Sequence, residues 1–581
     1  MEKEYVVIVH KGVDLAAFDA ELIASTGDSP IPNRSVQVAD PREGSKRMTH
    51  WMLTEEEAKT LESDHRVYAV EIPPHLRDDV EFVLDARLEK DGRFRRGGEK
   101  TSNDINWGLL RSNVKANIYY GSESVISAAE NDYLYALDGA GVDVVIQDTG
   151  IQADHPEWQD RYGNSRLQQI DWYAESGISG TQHADHYTDT NGHGTHVAGV
   201  IGGKTYGWAK GANIYALKLS NLYGTSDPSG SESGIDLGTS PSTAFDMIRL
   251  WHNNKTNGRP TVVNMSWGVR WRTNYNPISG FHRGVSWSFS NQSNITLWSQ
   301  YGIVQPLDQS YRSIPMQSAS YDIEIEEMID AGIHVCISSG NSAFKADIPG
   351  GIDYNNYVRI PVQGSNGVVS TETIRYHRPA SPYHEKAYFV GNIASAPIGS
   401  SKSDAANDYS VRGPAVNIWA PGSDIMSASS NNATGSEVFD YPGDTGFKIE
   451  SMTGTSQSSP QVAGVLALHL QSQPYLSPEK LMRKIVDDAV EGIIKDKSHD
   501  YVTPSGSLLD GPNIFLRSRY GVSTPFSVVV PQQGGGSGSG IGAETGAGSG
   551  IDLGSGNQET EFGSQSGFLF FTQSGEEIVI Q

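Results

Sequence analysis

Apolar residues alternate with polar ones in short bursts near the N-terminus and gather into solid runs further on, and the two patterns predict two kinds of sheet. Between residues 5 and 71, Tyr5–Val9, Met48–Leu53 and Val67–Glu71 read as strands. Leu15–Ala24 reads as a short amphipathic helix, and Thr54-Glu55-Glu56-Glu57 opens a second, with Thr54 as N-cap and Glu57 at the capping-box position. From about 105 to 530, solid runs at Val142–Ile146, Ile214–Lys218, Thr261–Met265 and His334–Ile337 alternate with helical stretches such as Thr243–Asn253 and Tyr321–Asp330. A strand apolar on both alternate sets of positions must be covered on both faces. The predicted class is therefore α/β, a parallel central sheet with helices on both faces, preceded by a small α+β unit over residues 1–75.

Three stretches break this rhythm. Residues 76–104 read as an exposed linker, because Arg87 to Lys100 carries six basic and three acidic residues with three glycines and few apolar ones. Residues 269–318 read as an insertion in the 105–530 unit, with eight aromatics, four arginines and a single acid. Its aromatics are expected to pack it on the main unit, and a part in a substrate cleft is the alternative. Residues 531–567 form a flexible linker, 19 of the 36 residues from 532 being Gly or Ser. The closing 568–581 is a short β tail, too small to bury Phe568, Phe570 and Phe571 alone, and is expected to dock on a sheet edge of this chain or of an assembly partner.

Charge then narrows the partners. With 44 basic and 69 acidic residues the chain carries −25, which disfavours nucleic acid and anionic membranes. No run reaches the 18 or so apolar residues of a membrane helix, and the start shows no secretory signal, so the expected location is cytoplasmic, particle-associated or reached by non-classical export. The lone cysteine, Cys336, excludes an intrachain disulfide framework and reads as a small buried hydrophobe.

Three short contexts carry chemistry. Asp148 ends the run Val142–Ile146 in Gln-Asp-Thr-Gly, at a strand's carboxyl end, where open α/β sheets place their sites. His193 sits in Asn191-Gly192-His193-Gly194-Thr195-His196, and Ser456 in Thr453-Gly454-Thr455-Ser456-Gln457-Ser458-Ser459-Pro460, each opening a small-residue helix. Taken singly they read as a strand-end cap, half of a metal site and an N-cap. The His-x-x-His pairs at 183/186 and 193/196 lack the Glu and Cys partners that zinc sites employ, so no metal ligand is assigned. Jointly, an Asp, His and Ser in this order differ from the His-Asp-Ser and Ser-Asp-His orders of two other hydrolase classes.

With those residues in place the segment from Asn106-Trp107-Gly108-Leu109 to about Leu470 resembles the subtilisin-like serine proteases. Val263-Asn264-Met265-Ser266-Trp267-Gly268, Ser338-Ser339-Gly340-Asn341 and Trp419-Ala420-Pro421-Gly422 support it, and Lys204–Ala209 is similar to the proteinase-K branch. The resemblance implies a subtilisin-like catalytic domain and a serine endopeptidase acting through Asp148, His193 and Ser456, with Asn341 in the oxyanion hole. It implies that Ser266, Trp267, Gly268, Ser338, Ser339 and Gly340 bind an extended protein or peptide substrate, with Trp267 narrowing the adjoining pocket. His155, in Asp154-His155-Pro156, takes no catalytic role. No cofactor is required for the chemistry, and structural calcium stays unassigned because the calcium loop of subtilisin has no counterpart after the His193 helix. The N-terminal unit is similar to the ferredoxin-like prodomain of these proteases, which implies an intramolecular inhibitor removed by self-processing. A different class of function, a structural component of a larger assembly with the protease domain as scaffold, would have been favoured by loss of a triad member.

Overall fold

The computed structural model describes residues 2–24, 29–77 apart from 43, 80–84, 101–115, 117, 133–219, 238–288 apart from 274, 300–303, 312–363, 369–395, 404–496, 507–523, 568–571 and 577–580. At its centre lies a nine-stranded sheet. Its order runs Val490–Glu491, Ile514–Phe515, Ile418–Pro421, Tyr388–Ile393, His334–Ser338, Thr261–Met265, Asp143–Asp148, Asn213–Lys218, Leu167–Gln168. All neighbours are parallel except the first pair. Because successive residues of a strand face opposite ways, the solid apolar runs split between two cores. Val144, Ile146, Val262 and Cys336 join the core under the helices His193–Gly202 and Thr455–Ser472. Val145, Val263, Met265, Val335 and Ile337 join the one under Pro241–Asn254 and Ala319–Asp330. Asp143–Asp148 is the point from which the chain moves first to one side, to Asn213–Lys218, and later to the other, to Thr261–Met265; the cleft beyond its carboxyl end is where such sheets hold ligands.

The N-terminal unit is a βαββαβ fold, a four-stranded antiparallel sheet ordered Gln37–Asp40, Met48–Leu53, Lys3–Val9, Val67–Glu71 with two helices on one face. The capping box forms as expected: Thr54 accepts from the Glu57 N–H, and Glu57 accepts from the Thr54 N–H at 2.8 Å. The other face, with Val6, Ile8 and Met48, packs on Ile323 of the Ala319–Asp330 helix. Polar contacts lock that docking. The Glu71 carboxylate caps the helix from outside, accepting from the N–H groups of Ala319 (3.1 Å) and Ser320 (3.0 Å) and from the Ser318 hydroxyl (2.8 Å). Arg42 is fully buried and donates to Asp246 at 2.7 Å and to Glu324, while Arg249 pairs with the same two acids. Burial opposes the charge on Arg42, but Glu324 and Asp246 outweigh it and hold its pKa above the ordinary value.

Two of the irregular stretches turn out to be structured where they are described. Val80–Leu84, inside the segment read as linker, is a strand antiparallel to Trp267–Thr273, with Leu84 opposite Trp267 and Val83 opposite Gly268. The linker character rested on Arg87–Lys100, which lies outside the described residues. The 269–318 stretch contributes Ser279–His282, Val285–Ser288 and Arg312–Pro315 to two small sheets, one shared with Tyr357–Gln363 and Val369–Ile374. Trp287 and Ile314 there share a separate small core with Phe344, Val358, Ile360 and Tyr376. The tail forms the hairpin Phe568–Phe571 with Glu577–Ile580 and joins Tyr133–Tyr135 through Phe571 opposite Tyr135, on the side away from Gly521–Ser523. The 531–567 linker lies outside the described residues.

Candidate active site

Each of the three motifs opens or closes an element at the carboxyl side of the sheet. Asp148 is the last residue of its strand, buried, and its Oδ1 accepts from the Thr149 N–H and from His193 Nδ1, both at 2.7 Å. A carboxylate there can only accept, which places a proton on Nδ1 and turns Nε2 away from Asp148. His193 is the first residue of its helix, entered through Gly192, whose φ of 94° lies in the left-handed region that favours glycine. Thr149, beside Asp148, and Asp189, outside the motifs, hold that entrance. Thr149 Oγ1 accepts from the Gly194 N–H (2.9 Å) and donates to Asp189 (3.0 Å). Asp189 also accepts from the N–H groups of Gly192 and Thr195 and from the Thr195 hydroxyl. The signal for Asp189 was present in sequence, an Asp just before Asn191-Gly192 being a turn former, but nothing tied it to His193.

Ser456 is the second residue of the Thr455–Ser472 helix, so its N–H belongs to the first turn, whose donors have no partner within the helix. The helix is cut short of one bond by Pro460, which has no N–H to give to the Ser456 carbonyl four residues back. Ser266 fills the gap: its hydroxyl donates to the Ser456 carbonyl at 3.0 Å, and its own carbonyl accepts from Ser456 Oγ at 3.1 Å. Asn264 holds Ser266 in place (2.9 Å) and is itself held by Ser459 (2.7 Å). A reciprocal clamp thus fixes Ser456 against the end of Thr261–Met265. The neighbouring residues of the two helices also meet, Gln457 Nε2 approaching His196 Nδ1 at 3.5 Å.

Asn341 follows the His334–Ser338 strand, and its Oδ1 accepts from Thr455 N–H (3.0 Å) and Thr455 Oγ1 (3.2 Å). With the oxygen so committed, the amide presents its NH2 end beside the start of the Ser456 helix. Thr455 was not singled out in sequence, though it also accepts from the Gly340 N–H at 3.0 Å. The structure gathers Gly268, Ser338, Ser339 and Gly340 around one cleft next to Asn341. Trp267 also lines that cleft, while its ring is buried, bonds Gln147 at 3.2 Å and packs edge-on to Tyr321 at 5.9 Å, so the indole lies in the core. The pleat sends it to the face of the Pro241–Asn254 helix, where Phe245 lies 6.2 Å away.

The remaining candidates have structural work. His155 caps the turn Pro156–Trp158 and bonds the Lys448 carbonyl at 2.9 Å, and burial lowers its pKa, as expected of a neutral ring. His196 and His186 face backbone carbonyls of Ile425 and Ala216. Among the described residues no group of three or more His, Cys, Asp or Glu is placed to hold a metal. Cys336 is buried and its thiol pKa is pushed up.

Residues 139–519 match Peptidase S8, the subtilase family. The chain is 26% identical over 494 residues to subtilisin-like protease 2 of Pseudogymnoascus destructans, covering 85% of this chain and 86% of that protein. It is 26% identical over 468 residues to the subtilisin-like serine protease Pen c 2 of Penicillium citrinum, covering 78% and 73%. Against alkaline serine exoprotease A of Vibrio alginolyticus it is 26% identical over 444 residues, which are 76% of this chain and 55% of that protein. Among solved structures it is similar to a cold adapted subtilisin-like serine proteinase, at 22% identity and a TM-score of 0.41, covering 71% of this chain and 97% of that one. The family match runs through most of the nine-stranded unit, and the chain belongs to the subtilase family of serine-type endopeptidases.

Proposed function

We propose that the chain hydrolyses peptide bonds through Asp148, His193 and Ser456 by way of an acyl-enzyme, and that residues 1–84 are its own intramolecular inhibitor. The observation that carries the first part is the buried Asp148–His193 bond of 2.7 Å, on the same rim of the sheet as a serine clamped at a helix start. In that reading Ser456 Oγ attacks the scissile carbonyl and its proton passes to His193 Nε2. The electron pair of the carbonyl moves to its oxygen, which receives hydrogen bonds from the Asn341 NH2 and the Ser456 N–H. On collapse the C–N bond breaks and His193 gives the proton to the leaving amine. Water then repeats the sequence on the ester and restores Ser456. Asp148 stays ionised throughout, orienting the ring and stabilising its cation. Subtilases need no cofactor for this chemistry.

The second part is supported by the Val80–Leu84 strand, which lies along Trp267 and Gly268 as an extended substrate would, by backbone pairing. A fluorophosphonate probe tests the chemistry. Labelling should be confined to Ser456 and lost in Ser456→Ala, and labelling that persists in that variant refutes the assignment. Asn341→Ala should lower kcat about 10²–10³-fold with little change in KM, since the donor engages a charge that exists only in the transition state.

A further inference from the structure

We infer that the pocket beside Asn341 selects substrates carrying a carboxylate side chain, Asp or Glu, on the residue just before the cut, through the guanidinium of Arg378. The inference rests on the endopeptidase reading above and names the substrate class for it. The pocket is lined by Gly268 and Ser338–Gly340 together with Arg270, Lys345 and Arg378, and no Asp or Glu is among the described residues that line it. In a chain of net charge −25 such a concentration of positive charge runs against the average.

The three cations differ in how they are held. Lys345 is answered by Asp353 at 2.9 Å and Asp510 at 3.0 Å. Arg270 belongs to the Trp267–Thr273 strand, whose backbone pairs with Val80–Leu84. Among the described residues Arg378 has neutral acceptors: the Tyr354 carbonyl at 3.0 Å, Gln317 Oε1 at 3.1 Å and Asn355 Oδ1 at 3.3 Å, with its guanidinium 4.1 Å from the Tyr354 ring. Partial burial and the nearby Arg375 both work against its charge. A cation oriented by neutral groups and partly desolvated gains more from an incoming carboxylate than an already paired one, while an apolar or cationic side chain there leaves it unanswered.

The chain's own sequence agrees. Val80–Leu84 runs antiparallel to Trp267–Thr273 with Leu84 opposite Trp267. The described strand ends there, beside Ser266, whose carbonyl accepts from Ser456 Oγ. The residue that follows Leu84 in the sequence is Asp85, and Ala86 follows it. The first self-cut is therefore assigned to the Asp85–Ala86 bond.

The experiment uses the full chain after self-processing, with active sites counted by fluorophosphonate, and acetyl-Phe-Val-Leu-X aminocoumarin amides in which X is Asp, Glu, Leu or Lys. The Asp and Glu substrates should exceed Leu in kcat/KM by about tenfold to a hundredfold, the range of a charged hydrogen bond. Arg378→Gln should collapse the Asp-to-Leu ratio by a similar factor, and Arg378→Lys should retain part of it. Should Arg378→Gln fail to label, Ala380→Glu places a competing carboxylate in the same pocket and should shift preference from Asp to Lys. The new N-terminus, read by mass spectrometry, should be Ala86. An enzyme that labels but prefers Leu, or that makes its first cut after a non-acidic residue, overturns this inference and leaves the endopeptidase reading intact. Absence of both labelling and hydrolysis overturns that reading and this inference with it.

Discussion

Arg42→Ala is the sharpest probe of how the N-terminal unit is held. Arg42 and Arg249 together balance Asp246 and Glu324, and all four side chains are at most 4% exposed. Removing Arg42 leaves two buried carboxylates on one guanidinium, with Glu327 also 3.3 Å from Arg249. Breaking a buried pair by deleting one partner costs about 3–5 kcal/mol, because the other charge stays buried. The docked arrangement should weaken by that amount, a factor of roughly 10² to 10³ or more. The amides of Ala319 and Ser320, which donate to Glu71 across the interface, report undocking directly. Hydrogen exchange in a Ser456→Ala background, where self-cutting is excluded, should show their protection fall by that factor. Arg42→Met combined with Asp246→Asn, which leaves Arg249 and Glu324 balanced, should recover at least half of the loss. A change in protection below about fivefold in Arg42→Ala, equivalent to less than about 1 kcal/mol, would refute the reasoning.

Gly194→Ala should lower kcat/KM by more than about tenfold, because the new Cβ would stand 2.1 Å from the Gly150 carbonyl and 3.2 Å from the Asp148 side chain, forcing His193 off its partner; unaltered turnover would show that the helix start gives way freely. Glu450 supplies a test of pH. Burial raises its pKa to about 7, so the folded chain keeps the proton after the unfolded chain has lost it. Stability should fall as pH rises from the ordinary carboxyl value to about 7 and level off above it, at about 1.4 kcal/mol per pH unit from this group. Glu450→Gln in the Ser456→Ala background should remove that slope in denaturant titrations at pH 5, 6 and 8, and an identical slope in both chains would count against the assignment.

The elements with the strongest periodicity were the legible ones. Thr54 and Glu57 announced a helix start with two reciprocal hydrogen bonds, and the solid runs at Thr261–Met265 and His334–Ile337 announced strands covered on both faces. Gln37–Asp40 has a polar residue at each end and four residues in all, so no period could reveal it. Val80–Leu84 was hidden because the charged stretch after it dominated the composition of the segment. At the site, the motifs located Asp148, His193, Ser456 and Asn341, but the residues that hold them were chosen by tertiary contact. Asp189 and Thr149 act across 40 residues, and Ser266 reaches Ser456 across 190. The flanking motif of Trp267 pointed to the cleft it lines, but the pleat of the strand, which sends its ring into the core, has no mark in the motif.

The clamp between Ser266 and Ser456 also sets a clock. Ribosomes add about 5–20 residues per second, and Ser456 leaves one some 370 residues after Leu84, so the N-terminal unit is complete for roughly 20–75 s before the nucleophile has been made. The serine acquires its place only when the strand carrying Ser266 and the helix carrying Pro460 have met. Peptide-bond cleavage by this chain therefore cannot begin while its N-terminal unit is being made, and its onset dates the closing of the sheet.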